Sequence, residues 1–114
     1  MDIIKYKKEG MNMAIVHANS ETFHNEINDS MPVLVDFYAD WCGPCKMLAP
    51  ILESIDEDRV DLKIVKLNID SAEDIAREFG VMSIPTLIVF KDGKEFSKHI
   101  GLCSKEDIMD MVNI

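Results

Sequence analysis

Basic residues are scarce in this chain of 114 residues: 12 Lys and Arg stand against 21 Asp and Glu, a formal net charge of −9. Neutralising nucleic-acid phosphates needs clustered Lys and Arg, so the deficit argues against nucleic acid. It equally disfavours anionic membrane surfaces, and the acidity reads first as a well-solvated surface. Long apolar runs are also missing; nothing approaches the ~20 residues a bilayer-spanning helix demands. Residues Met1 to Gly10 carry charge where a secretory leader needs its apolar stretch. Three cysteines are too few, and odd in number, for a secreted disulfide scaffold. A reducing cytosol is therefore the expected compartment. No Gly-rich phosphate loop, internal repeat or low-complexity tract occurs, so no nucleotide or other cofactor is expected.

What is present is ordinary globular material, 47% apolar and 29% charged, enough for one core and too short for two. We expect a single domain over 1–114, with 1–12 as a polar, lysine-rich extension. The informative stretch is Trp41-Cys42-Gly43-Pro44-Cys45-Lys46. It follows the apolar run Val33 to Tyr38 and opens a segment whose apolar residues, Met47, Leu48, Ile51, Leu52 and Ile55, recur at helical spacing. A strand leading into Cys-X-X-Cys at a helix start reads as a dithiol/disulfide exchange site.

That chemistry explains the spacing. The attacking species is a thiolate, which gains from unpaired N–H groups and the positive dipole end of a helix. Residues three apart share a helix face, so Cys45 can reach Cys42 without unwinding. Gly43 keeps bulk away from the sulfurs, and Pro44 tolerates the first turn because its missing N–H would be unpaired there anyway. A zinc site is the rival reading, but structural zinc takes four ligands. Only Cys103, His17, His24 and His99 remain, none in a second paired spacing, so no metal is expected.

Trp-Cys-Gly-Pro-Cys-Lys after Val35 to Asp40, followed later by Ser83-Ile84-Pro85-Thr86, resembles the thioredoxin family from about Met13 to Ile114. The resemblance implies a protein-disulfide reductase acting through a mixed disulfide, recycled by a thioredoxin reductase, serving disulfide-containing client proteins as a monomer. It implies that Asp36 lies under the second cysteine and accepts its proton, and that Lys66 lies near Asp36. It implies a cis Ile84–Pro85 bond facing the dithiol, with the backbone of Ile84 pairing to a bound partner, and Gly101 lining the partner groove. Two other roles share these motifs: a dedicated redox partner of one enzyme, and a non-catalytic binding subunit.

Read from the residues alone, Asp36 is the one charge in an apolar strand and must have a partner or a shifted pKa. Lys66 reads equally as a solvated strand lysine. Trp41 reads as core packing or as a partner platform. By the resemblance, Tyr38 stands where the best-known family members carry a second tryptophan; its hydroxyl needs a partner. Cys103 and the eight methionines read as core filling. The expected fold is α/β, a three-layer α/β/α sandwich with a mixed central sheet in the order βαβαβαββα. Strands are expected at 13–16, 33–38, 62–69, 86–90 and 95–100. Asn19 or Ser20, Asp70 or Ser71, and Ser104 are the expected helix caps, Pro50 a helix kink, Gly80 a stop and Asp92-Gly93 a hairpin turn.

Overall fold

The computed structural model describes residues 15–113. Met13 and Ala14 of the expected first strand, the expected extension over 1–12, and Ile114 lie outside them. The described elements are β1 (Ile15–Ala18), α1 (Phe23–Ile27), β2 (Val33–Tyr38), α2 (Gly43–Asp58), β3 (Lys63–Asn68), α3 (Glu73–Glu78), β4 (Thr86–Lys91), β5 (Lys94–Ile100) and α4 (Lys105–Val112). The order is the expected βαβαβαββα.

The strands form one mixed sheet, β1-β3-β2-β4-β5. β2 sits at its centre, parallel to β3 and antiparallel to β4. Because strand side chains alternate, β2 feeds two different cores. Val33, Val35 and Phe37 join Phe23, Ile27, Ile75, Ile88 and Phe90 on the face covered by α1 and α3. Leu34 joins Leu48, Leu52, Ile55, Ile64, Leu87, Val89 and Ile108 on the face covered by α2 and α4. Asp36 and Tyr38 follow Leu34 in that alternation, which turns them toward the side of α2. A central strand buried on both faces is why Val33 to Phe37 reads as an unbroken apolar run with one charge in it.

The local signals mostly act where expected. Asp92 (φ 53°) and Gly93 (φ 77°) turn the β4–β5 hairpin, both in the left-handed region that this turn requires. Gly80, at φ 66°, stops α3. Ser104 caps α4 in a full capping box: its hydroxyl accepts the Asp107 N–H, and the Asp107 carboxylate accepts the Ser104 N–H. Two caps differ. Asn19 instead builds the turn before α1, its Oδ1 accepting the N–H groups of Glu21 and Thr22. α3 begins later than the Asp70–Ser71 signal, after Ala72 and with no side-chain cap, because Asp70 and Ser71 are drawn into a turn organised by Asn68. α2 runs unbroken through the exposed Pro50, which lacks the N–H that would pair with the Lys46 carbonyl.

Candidate active site

Cys42 is the N-cap of α2, with extended backbone (φ −87°, ψ 113°). Its Sγ accepts the Cys45 backbone N–H at 3.2 Å, one of the donors that the first turn of a helix leaves unpaired. Pro44 follows in the first turn, where it removes a donor that has no use. The two sulfurs are joined in a disulfide across Cα atoms 5.2 Å apart. The arrangement holds sulfur at the positive end of a sixteen-residue helix, where a thiolate gains both the dipole and a directed hydrogen bond.

In this oxidised state Cys42 is 5% exposed and Cys45 3%. The sequence suggests an open nucleophile, but the closed ring turns the sulfurs toward each other, and Ala39, Tyr38, Ile69 and Ile84 pack around them. Gly43 and Pro44 are exposed beside them, and a Cβ built on Gly43 would meet nothing within 4 Å. The Gly43 backbone beside the sulfurs is therefore left uncovered.

Ile84–Pro85 is cis, as expected. Pro85 is buried, and its carbonyl accepts the Gly101 N–H at 2.8 Å, which fixes the Gly101 loop beside it. Gly101 has φ 97°, and the space a side chain would occupy is open. The left-handed backbone is reason enough for glycine there. Trp41 is 69% exposed, so packing in the core is excluded. Its Nε1–H donates to Asp70 Oδ2 at 2.8 Å, which pins the indole without covering it.

Within β2, Asp36 is fully buried. Among the described residues neither of its carboxylate oxygens meets a hydrogen-bond donor. The Lys66 ammonium stands 3.9 Å from Asp36 Oδ2. Lys66 is thus not the solvated strand lysine of the alternative reading. Burial pushes the Asp36 carboxyl up from 3.8 to about 7, and the Lys66 charge only partly opposes it. A small cleft of about 150 Å³, lined by Tyr38, Ala39, Asp40, Cys45, Lys46, Ala49 and Lys66, opens beside Cys45. One lysine therefore connects the buried carboxylate to the cleft that holds the second cysteine.

A family model described as thioredoxin matches residues 14–114. The chain belongs to the thioredoxin family. It is 48% identical over 102 residues to the thioredoxin of Bacillus subtilis (strain 168), covering 89% of this chain and 97% of the relative. It is 46% identical over 95 residues to that of Chlamydia caviae, covering 83% and 92%. Among solved structures, a mutant thioredoxin from Halobacterium salinarum NRC-1 superposes with a TM-score of 0.82 at 34% identity, covering 87% of this chain and 88% of that one. The thioredoxin fold and a redox-active cysteine pair are thus both in place, and the chain is a protein-disulfide reductase working by dithiol–disulfide exchange.

Some of the surrounding thioredoxin framework is not legible in the sequence. Asp70, the partner of Trp41, lies 29 residues away and looks like a helix cap. Asn68 pairs opposite Tyr38 in the β2–β3 register and donates to Asp40 Oδ2 at 3.4 Å; no local pattern marks it. Two of the methionines are a correction. Met109 and Met111 pack against the α2/α4 core as expected, but Met82 is 96% exposed and Met47 62%. Both project from segments that carry the site, the loop before Pro85 and the first turns of α2, where backbone placement outweighs the usual preference of a thioether for the interior. Cys103 is buried in the α2/α4 core, the filler role expected of it.

Proposed function

We propose that Cys42 is the attacker and Cys45 the resolver. The Cys42 thiolate displaces one sulfur of a client disulfide, forming a mixed disulfide while the other client sulfur leaves as a thiolate. Cys45 then passes its proton to Asp36 and attacks Cys42 Sγ. The mixed disulfide breaks, the client leaves as a dithiol once its sulfurs take up protons, and the client has gained the two electrons given up in forming the Cys42–Cys45 disulfide. Reset needs two electrons from outside the chain, which we assign to a thioredoxin reductase. Gly43 and Pro44 shape the ring, Lys66 biases Asp36, and Trp41, Ile84, Pro85 and Gly101 form the face on which an extended client strand is held.

The observation that carries this reading is the helix N-terminus: Cys42, not Cys45, sits at the cap and receives the directed N–H. Asp36 suits the second step because an acceptor must titrate near the working pH, and burial has brought it there. We infer further that residues 1–114 form one domain with 1–12 as an extension, acting as a cytosolic monomer on many clients. Among the described residues no helix is long and apolar enough to cross a membrane.

The test is insulin reduction by the full chain with dithiothreitol as electron source. Both Cys42→Ser and Cys45→Ser should abolish catalysed turnover, and Cys45→Ser should accumulate clients covalently bound through Cys42. Trapping by Cys42→Ser instead would reverse attacker and resolver. Inability of the native chain to reduce insulin would favour a dedicated partner enzyme.

A further inference from the structure

Asp36 and Tyr38 are alternate residues of β2 and turn toward the same side of the sheet. In the parallel β2–β3 register Lys66 is opposite Asp36 and Asn68 is opposite Tyr38. Lys66 is therefore a direct neighbour of Asp36 and a diagonal neighbour of Tyr38, within reach of both. Its ammonium lies 3.9 Å from Asp36 Oδ2 and 4.5 Å from the centre of the Tyr38 ring. The second distance is well inside the ~6 Å over which a ring face attracts a cation.

A lysine at the edge of an open cleft has another choice. Its four-carbon stem lets the ammonium swing out to water, and the Asp40 carboxylate lines the same cleft as a rival partner. Two features oppose that swing. The Tyr38 ring occupies one side of the ammonium, and Asn68, opposite Tyr38 in the register, donates to the rival Asp40 carboxylate at 3.4 Å.

We propose that Tyr38 is a positioning residue: the face of its ring holds the Lys66 ammonium against Asp36 and so sets the pH at which that carboxylate ionises. The groups around Asp36 support this division of labour. β3 offers Lys66, and β4 places the apolar Leu87 opposite it. α2 brings Cys45 and Lys46 to the cleft, and the segment after β2 brings Asp40. Lys66 is the cation paired with Asp36, and its distance depends on what holds the far end of its side chain. Resting on the reading of Asp36 as acceptor of the Cys45 proton, Tyr38 would then also set the pH profile of the resolving step.

The experiment follows the ¹³C-carboxyl resonance of Asp36 against pH in the full chain, for native protein, Tyr38→Phe, Tyr38→Leu, Lys66→Met and Tyr38→Leu with Lys66→Met. Losing the ring face should raise the midpoint in Tyr38→Leu by roughly half a pH unit. Tyr38→Phe keeps the face and should titrate like the native chain. In the Lys66→Met background Tyr38→Leu should add nothing. A native midpoint in Tyr38→Leu overturns the proposal. So does a shift that persists without Lys66, or one as large in Tyr38→Phe, since the ring would then act by packing or through its hydroxyl. In parallel, the rate at which Cys45 closes on a mixed disulfide of Cys42 should shift its pH profile with the midpoint. If Asp36→Asn leaves that rate unchanged at every pH, Asp36 is not the proton acceptor, and the resonance titration still decides the role of Tyr38.

Discussion

The two sides of the sheet are built from the same strands and put to different uses. On the α1/α3 side, Phe23, Phe37, Phe79 and Phe90 form a cluster with ring centroids 5.2–5.9 Å apart, tilted or edge-on, and among the described residues its core holds no charge. On the α2/α4 side the core is aliphatic, and toward the N-terminus of α2 it gives way to a buried carboxylate, a lysine and the disulfide. β2 contributes to both through simple alternation. One side supplies packing that can support the fold. That support lets the other carry a group that burial disfavours, a carboxyl pushed up to about 7.

Four measurements would break or sharpen that contrast. The largest effect belongs to the reactive side: Cys42→Ser should reduce insulin turnover to the uncatalysed rate while leaving the folded circular-dichroism spectrum intact. A comparable loss from a substitution confined to the aromatic side would erase the distinction. Second, Phe90→Ala should cost about 3–5 kcal/mol in urea unfolding, with thiol exchange in the remaining folded fraction unaltered. Third, Asp36→Asn should act in the opposite sense on stability and slow the resolving step. The folded chain keeps a proton on Asp36 up to about 7, whereas the unfolded chain releases it near 3.8. Native stability therefore falls as pH rises through that window and stays lowered above it. The substitution should thus stabilise the oxidised protein by up to about 4 kcal/mol at about pH 8 and by almost nothing near pH 4. A gain independent of pH would remove ionisation as the cause. Smallest, Ser104→Ala should cost about 1 kcal/mol by opening the α4 capping box, with no change in turnover.

Much of this is visible in the residues. The Cys-X-X-Cys spacing between an apolar run and a helical pattern identifies the reactive centre because the chemistry needs i, i+3 sulfurs at a helix start, a purely local requirement. Gly80, Asp92-Gly93 and Ser104 act within four residues of themselves, and each does what its type suggests. Asp36 is conspicuous because a charge in a doubly buried strand demands a reason. Asn19, Asp70 and the exposed Met47 and Met82 mislead, since in each case the deciding neighbour or the direction of the backbone is not written in the residue's own type.

The chain by itself thus determined the element order, the reactive pair and its helix, because these follow from short-range spacing, backbone sterics and the burial of apolar surface. The pairing of strands β2 and β3 in register was left to the tertiary structure. That register sets Lys66 beside Asp36 and against the Tyr38 ring, places Asn68 opposite Tyr38, and gives the carboxylate its depth. A charge's energy depends on its distance to other charges and to water, and those distances exist only once remote segments have been brought together.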